Sequence, residues 1–299
     1  YIPRLQKSGF RSVTSDSFLN PTLVLINTKD LIVDFQDLRE LLTSKYEKRD
    51  DYMVSIYFEY FPTGANISIN KDEKVWPASL IKIPVAMAIM KKVQDKKWKI
   101  DNELVILDDD KDSEYGDLYK APTGSTFTIK KFLEESLIKS DNTAHFVLLR
   151  NLDGSELEDV YVHLGMDDVI DALKKAPSKK EEVDNRITAK RYSIFFRSLY
   201  NATYLNQEYS ELFLNILSNA PRDLVGERIP KDVPFVHKTG IRLDGAVRAD
   251  SAIVYVPGRP YLLTVMIQKK GKGEFNEEEV NTLFNEIGEE VYTYVTQAR

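Results

Sequence analysis

The pattern of hydrophobic and polar positions predicts β-strands near both ends of the chain. Residues 52–63 (YMVSIYFEYFPT) are rich in aromatic and β-branched side chains, which favour a strand. After the turn residue Gly64, residues 65–70 alternate apolar and polar as the second strand of a hairpin would. Three later β-branched runs separated by turn residues are also predicted strands: 233–238, 251–256 and 261–268.

Between these ends the apolar positions recur at helical spacing. The segment from Pro77 to about Val93 is long and apolar, which favours a buried helix, and Pro84 is tolerated near its first turns. Further helices are predicted at about 30–45, 129–139, after Ser140, 189–200 and 277–297. The acidic segment 107–126 and the polar segment 174–186 are predicted loops.

The order of these elements predicts a mixed α/β (α+β) fold. One antiparallel sheet is built from both ends of the chain and flanked by helices, and an all-helical lobe is inserted between its parts. We expect residues 51–98 and 206–299 to form the α/β lobe and residues 99–205 the helical lobe. Residues 1–50 are expected to form a lead-in segment and the first helix.

Composition narrows the classes of function. With 299 residues, 42% hydrophobic and 29% charged, the chain is typical of a soluble globular protein, and its net charge of −6 argues against a nucleic-acid surface. Cysteine is absent and His145, His163 and His237 lack metal-type spacing, so neither a metal nor a cofactor is predicted.

The longest apolar stretch, 83–90, is too short to span a bilayer. Because the chain begins at Tyr1, we expect that a preceding segment was removed.

Three short motifs stand in order: Ser79-Leu-Ile-Lys82, Ser140-Asp-Asn142 and Lys238-Thr-Gly240. The pattern S-x-x-K also occurs at 68–71 and 136–139. Ser68 falls in a predicted strand, where residues three apart face opposite ways, and Ser136 lies inside a predicted helix with nothing that indicates a cleft. Ser79 begins a helix that follows a strand pair, and it is therefore the candidate nucleophile.

The helical spacing supports a pairing of Ser79 with Lys82. Residues i and i+3 share one helix face, with Cβ atoms roughly 5–6 Å apart, so the hydroxyl and the amine can meet. A helix N-terminus disfavours a lysinium, which would help Lys82 act as a base. The alternative is that Ser79 only caps the helix while Lys82 points to water.

The other two motifs supply the remaining groups that acylation of a serine needs. In this interpretation Ser140 relays a proton to the leaving-group nitrogen, and Asn142 donates its amide to a carbonyl of the substrate. Ser140, Asp141 and Asn142 are equally favoured as plain helix caps. Lys238 would hold positive charge near a substrate carboxylate and near Ser140. Thr239 and Gly240 would let substrate backbone pair with the strand edge, since Gly240 has no Cβ.

From about residue 50 onward the chain resembles the class A β-lactamases of the penicillin-recognising serine enzymes. The resemblance rests on the three motifs, on Ser140-Asp-Asn-Thr-Ala144 and on residues 237–241 and 247–250. It implies the β-lactamase/transpeptidase-like fold and an oxyanion hole made by the backbone N–H groups of Ser79 and Ile241. It also implies that Arg248 binds a substrate carboxylate. Tyr115, 25 residues before Ser140, is the candidate aromatic residue of the cleft, with a solvent-exposed tyrosine as the alternative.

The chain departs from class A enzymes in the loop that carries their deacylating glutamate. Residues 184–188 (DNRIT) partly match the D-x-R-D-T segment, and counting back to the glutamate position reaches Lys174 and Lys175. No E-x-x-L-N sequence is present in this loop. Glu181 and Glu182 are the nearest carboxylates, and their Lys-Lys-Glu-Glu run is typical of a solvated surface. We therefore expect acylation but not fast hydrolysis of the acyl-enzyme.

These features leave three hypotheses. The first is a serine hydrolase that opens β-lactam amides, the substrates of antibiotic resistance enzymes, through an acyl-Ser79 intermediate that is released slowly. The second is a D-alanyl-D-alanine carboxypeptidase or transpeptidase-like penicillin-binding protein that acts on peptidoglycan stem peptides. The third is a β-lactam sensor that is acylated and stalls. The resemblance implies a location outside the cytoplasm, and the sequence does not determine the oligomeric state.

Overall fold

A five-stranded antiparallel sheet organises the fold in the computed structural model, which describes residues 33–174, 185–242, 246–271 and 275–298. The strands are β1 (Tyr52–Tyr60), β2 (Ala65–Ile69), β3 (Glu103–Val105), β4 (Thr126–Thr128), β5 (Phe235–Arg242), β6 (Val247–Val254) and β7 (Tyr261–Lys269). The large sheet has the order β2-β1-β7-β6-β5, and β3 pairs with β4 in a separate ribbon.

Helices cover both faces of this sheet. They are α1 (Gln36–Leu42), α2 (Lys82–Gln94), α3 (Ile129–Ile138), α4 (Asn142–Arg150), α5 (Gly154–His163), α6 (Asp167–Lys174), α7 (Ala189–Asn201), α8 (Gln207–Leu217) and α9 (Glu277–Gln297). One apolar core joins the sheet to α2 through α8, and a second core joins its other face to α1 and α9. Because both faces of the sheet are covered, the residues of β1 and β6 are buried almost without interruption instead of alternating between buried and exposed.

Strand β5 forms one edge of the sheet and lies at the start of α2. It pairs with β6 in a register that places Thr239 opposite Asp250 and Ile241 opposite Arg248. Among the described residues its other edge has no neighbouring strand, and it contacts the 3₁₀ turn Ala78–Ile81 instead. An edge strand presents unpaired backbone groups, so this side of β5 can bond a ligand.

The structure confirms the mixed α/β class, the first hairpin and the closing helix. Two predicted strands were wrong at one end. β5 continues past Lys238 to Arg242, so the Lys-Thr-Gly sequence lies within the strand rather than ending it, and β6 begins at Val247 rather than Ser251. Thr239 and Gly240 were taken for the end of the run, but pairing with β6 overrides local propensity.

Other differences lie outside the sheet. The first helix begins at Gln36 within the described residues and continues as a π-helical turn over Thr43–Glu47. The short ribbon β3–β4, which flanks the predicted loop 107–126, was not predicted from its three-residue strands. The division into lobes at 98/99 and 205/206 stays a prediction. In the part of the chain that the structure describes, no helix combines the length and apolarity needed to cross a bilayer.

Candidate active site

Ser79 lies in the 3₁₀ turn that leads into α2. This turn continues directly into α2, which begins at Lys82, so the side chains of Ser79 and Lys82 share one face. Lys82 Nζ donates to Ser79 Oγ at 2.9 Å. Ala78, directly before Ser79, has a φ of 47°, in the left-handed region that an alanine adopts only when its surroundings hold it there. The structure therefore brings the predicted nucleophile and lysine together on a constrained backbone.

The Lys82 amine is enclosed between Ser79 and Asn142. Its Nζ also donates to Asn142 Oδ1 at 2.7 Å, and the residue is 3% exposed. Burial lowers the pKa of Lys82 to about 8, although the carboxylates of Asp141 and Asp112 act in the opposite direction. A substantial neutral fraction therefore exists near pH 8, and this neutral amine can accept the Ser79 proton.

Ser140 and Lys238 form a second hydroxyl–amine pair in the same cleft. Lys238 Nζ donates to Ser140 Oγ at 3.0 Å and to the Thr239 carbonyl oxygen at 3.1 Å. Burial, together with the positive charge of Lys82, lowers the pKa of Lys238 to about 7. Lys238 can thus exchange a proton with Ser140 near neutral pH.

Asp141, and not Ser140, caps helix α4. Asp141 Oδ1 accepts the Ala144 N–H at 2.7 Å, while Ser140 has a φ of 58° and stands outside the helix. Because Asp141 fills the capping position, the Ser140 hydroxyl accepts the hydrogen bond from Lys238 instead. The sequence allowed any of these residues to cap, and the structure separates their roles.

Asp141 also holds the loop that carries Tyr115. Asp141 Oδ2 accepts the N–H groups of Asp117 and Leu118 at 2.7 and 2.9 Å. Gly116 has a φ of 89°, and a Cβ atom there would lie 2.0 Å from Asp141 Oδ2, so the loop needs a glycine at this point. Sequence reasoning assigned Asp141 no role beyond a cap.

Six of the predicted residues line one cleft of about 230 Å³. Its walls include Ser79, Tyr115, Ser140, Lys238, Thr239 and Ile241. Tyr115 is half-buried there rather than standing on open surface, and its carbonyl oxygen accepts the Asn142 N–H at 3.0 Å. The cleft thus joins residues from all three sequence motifs.

Gly240 packs against the backbone of the nucleophile. A Cβ atom at this position would lie 2.8 Å from the Pro77 carbonyl oxygen and 3.1 Å from Ser79 N. From the sequence we expected that the absence of a Cβ atom at Gly240 leaves room for the substrate. In the structure the turn that carries Ser79 fills that space. The contact places Gly240 beside the backbone nitrogen of Ser79, and the oxyanion hole made by the N–H groups of Ser79 and Ile241 stays a prediction.

Arg248 lies on β6 but is turned toward α9. Its guanidinium donates to Glu277 Oε2 at 3.0 Å and to Asn281 Oδ1, and the residue is 5% exposed. Arg248 is not among the residues that form the cleft wall. Strand alternation puts its side chain on the sheet face that α9 covers. Its role toward a substrate carboxylate stays a prediction.

A buried ion pair behind Thr239 was missed by sequence reasoning. His237 Nδ1 lies 3.1 Å from Asp250 Oδ1, and His237 Nε2 donates to the Pro221 carbonyl oxygen at 2.8 Å. Although burial disfavours its charged form, the Asp250 carboxylate raises the pKa of His237. Together with Asp223, this pair places three possible metal-ligand atoms within 4.8 Å of one another. The contact between His237 and Asp250 explains the position of the two side chains without a metal ion.

The predicted deacylation loop falls largely outside the described residues. Lys175, Glu181, Glu182 and Asp184 belong to that part of the chain, as do the side chains of the last turn of α6 up to Lys174. An E-x-x-L-N sequence does occur later, at residues 211–215. It lies within α8, after the D-x-R segment, and contributes no residue to the cleft wall.

The chain is similar to known proteins over most of its length. A family model described as "Beta-lactamase enzyme family" matches residues 35–295. Beta-lactamase ROB-1 from Haemophilus influenzae is 25% identical over 290 residues, which cover 94% of this chain and 91% of the relative.

Solved structures share the fold. The structure of PBP-A superposes with a TM-score of 0.76 at 19% identity and covers 89% of this chain and 100% of its own. A β-lactamase from Sphaerobacter thermophilus gives a TM-score of 0.76 at 20% identity, over 88% of this chain and 98% of its own. A mutant of PBP-A that superposes with a TM-score of 0.72 at 19% identity, over 91% of this chain and 97% of its own, is an acyl-enzyme complex with penicillin G.

Proposed function

The chain belongs to the beta-lactamase enzyme family and is a serine hydrolase, and we propose that it opens β-lactam amides through an acyl ester on Ser79. The observation that carries the proposal is the 2.9 Å contact between Lys82 Nζ and Ser79 Oγ, with the Lys238–Ser140 pair in the same cleft. Two hydroxyl–amine pairs supply the two proton transfers that amide opening needs.

Acylation would begin at Ser79. Neutral Lys82 takes the hydroxyl proton as Ser79 Oγ bonds to the lactam carbonyl carbon. The negative charge that develops on the carbonyl oxygen is held by the backbone N–H groups of Ser79 and Ile241. The carbon–nitrogen bond then breaks, and the nitrogen takes a proton from the Ser140 hydroxyl, which Lys238 resupplies.

The substrate would be held on both sides of the reacting carbonyl. The Asn142 amide donates to the carbonyl of the acyl side chain, and the edge of β5 at Thr239 and Gly240 pairs with substrate backbone. Arg248 and Lys238 supply positive charge for the substrate carboxylate, and Tyr115 covers the cleft. These assignments follow the family pattern residue by residue.

We propose that release of the acyl group is slow. The loop before Arg186 contains no E-x-x-L-N sequence, and counting back to the expected glutamate position lands near Lys174 and Lys175. Hydrolysis of an ester needs a base to activate water, so the acyl-enzyme would persist.

The same sequence feature favours a second candidate, a D-alanyl-D-alanine peptidase acting on peptidoglycan stem peptides. That reaction uses the serine, the two lysines and the strand edge in the same way. Both β-lactams and peptidoglycan are met outside the cytoplasm, and we propose that location. An enzyme that is acylated once and stalls would act as a sensor.

A labelling and turnover experiment separates these functions. Wild-type protein and Ser79→Ala are incubated with a fluorescent penicillin, and the label is followed on a denaturing gel. We expect label on the wild type only, and equal label on both proteins, or none on either, contradicts acylation at Ser79. Turnover of nitrocefin is then compared with turnover of a D-alanyl-D-alanine ester peptide. Faster nitrocefin turnover supports the β-lactamase, faster peptide turnover the peptidase, and a single burst the sensor.

A further inference from the structure

Asp112 lies beside Asn142 on the loop that precedes Tyr115. Its Oδ1 accepts the Asn142 Nδ2–H at 2.9 Å. Asn142 Oδ1 in turn accepts from Lys82 Nζ, which donates to Ser79. A continuous chain of hydrogen bonds therefore runs from the Asp112 carboxylate to the nucleophile.

The two neighbours of Asn142 determine how its amide is oriented. An ammonium group can only donate, and a carboxylate can only accept, so the amide oxygen must face Lys82 and the amide nitrogen must face Asp112. Without Asp112 the amide could turn, and its NH₂ group would then face the Lys82 amine. Sequence reasoning missed this role, because Asp112 stands in an acidic run (DDDKDSE) typical of a solvated loop.

Asp112 is itself fixed in place by helix α4. Its backbone N–H donates to Thr143 Oγ1 at 3.0 Å, and the Thr143 hydroxyl donates to the Asp112 carbonyl oxygen at 3.3 Å. The Glu114 N–H adds a bond to Asp112 Oδ1 at 2.9 Å. Thr143 is fully buried and adjacent to Asn142, so the carboxylate and the amide are held by the same turn of helix.

We propose that Asp112 is a positioning residue of this active site, which fixes the orientation of the Asn142 amide and through it the hydrogen-bond acceptor of Lys82. The inference rests on the proposed acylation of Ser79. It assigns a role in catalysis to a residue outside the three motifs.

The negative charge of Asp112 also acts on the titration of Lys82. Asp112 and Asp141 both favour the protonated amine, against the effect of burial. His145 on α4 and Lys238 on β5 also interact with the charge of Lys82. Removing the charge at 112 while keeping a hydrogen-bond acceptor there should move the Lys82 titration to lower pH.

The test measures the second-order rate constant of acylation by a fluorescent penicillin between pH 5 and 10. Asp112→Asn keeps an acceptor for Asn142, so we expect a near-normal maximal rate, with the rising limb of the pH profile, which Lys82 sets, moved to lower pH. Asp112→Ala removes the acceptor, and we expect the maximal rate to fall about tenfold or more. Glu114→Gln removes an equal, exposed charge two residues away and should match the wild type in both respects.

A double-mutant cycle separates positioning from a general structural effect. If Asp112 acts through Asn142, Asp112→Ala should lower the acylation rate in the wild type but have little further effect in Asn142→Ala. An equal loss in both backgrounds, or a wild-type pH profile in Asp112→Asn, would overturn the inference. Failure of the wild type to be acylated would instead contradict the proposed function, so the two failures are distinguishable.

Discussion

A Cβ atom on Gly240 would lie 3.1 Å from the backbone nitrogen of Ser79. The edge strand and the nucleophile turn are therefore in contact through main-chain atoms, with no side chain between them. Two elements that are 161 residues apart in the chain meet at this point, and their contact depends on the absence of a side chain at position 240.

Gly240→Ala should displace either β5 or the turn at Pro77, because the nearest atom is a backbone carbonyl oxygen that cannot rotate away. We expect the acylation rate to fall about 10²-fold, the effect of losing one oxyanion donor. Gly154→Ala is the matched control, since a methyl group at this first residue of helix α5 would meet no described heavy atom within 4 Å apart from those of its chain neighbours and its own helix backbone. Equal rates for both variants in stopped-flow labelling would contradict the role given to Gly240.

Lys82→Arg should reduce acylation about 10³-fold or more, because a guanidinium stays protonated and cannot accept the Ser79 proton. In the wild type the rate should rise with pH as Lys82, whose pKa is near 8, becomes the neutral base, and should fall again as Lys238, whose pKa is about 7, loses the proton that it supplies. Lys71→Arg, in the S-x-x-K sequence at 68–71, changes an exposed lysine and should leave the profile unchanged. A pH-independent wild-type rate would rule out Lys82 as the base.

His237→Gln should destabilise the fold by about 3 kcal/mol at pH 6, because it leaves the buried Asp250 carboxylate without its charged partner. The folded-state pKa of His237 is raised above 6.5, so its stabilisation is fully present below pH 6.5 and is lost as pH rises through the raised value. Urea unfolding at pH 6 and pH 9 should therefore show a smaller difference from the wild type at pH 9. A difference that grows with pH would mean that His237 is neutral in the fold.

Arg248→Gln should raise KM for carboxylate-bearing β-lactams about tenfold with little change in kcat, if the guanidinium binds the substrate carboxylate. Glu277→Gln is the control, because it weakens the same link to α9 while leaving the cation in place. Should both variants lower Tm and leave KM unchanged, Arg248 serves only to tie β6 to α9.

One contact of the site follows from local spacing alone, whereas the contact of Lys238 with Ser140 was expected only from the set of three motifs. Ser79 and Lys82 are three residues apart at a helix start, so their contact follows from helix geometry. Asp112 and Asn142 are 30 residues apart, and only the packing of the loop on α4 brings them together. The end of β5 was misplaced for a similar reason, because its pairing with β6 is a long-range contact.

The contact of His237 with Asp250 is another long-range contact that could not be predicted from the sequence. On the sequence it stands next to Lys238 as a lone histidine without metal-type spacing, and its partner Asp250 lies on the next strand. Strand register, which sets the Thr239–Asp250 pairing, decides that His237 and Asp250 share a face. No single-sequence pattern determines that register.

Intact-protein mass spectrometry during incubation with benzylpenicillin tests acylation of Ser79 most directly. We predict that the wild type gains the mass of one penicillin within the mixing time, that the adduct maps to the peptide containing Ser79, and that it persists for many minutes. Ser79→Ala should gain no mass, and Ser136→Ala, from the S-x-x-K sequence inside α3, should behave as the wild type. An unmodified wild type, or an adduct that survives in Ser79→Ala, would contradict the account.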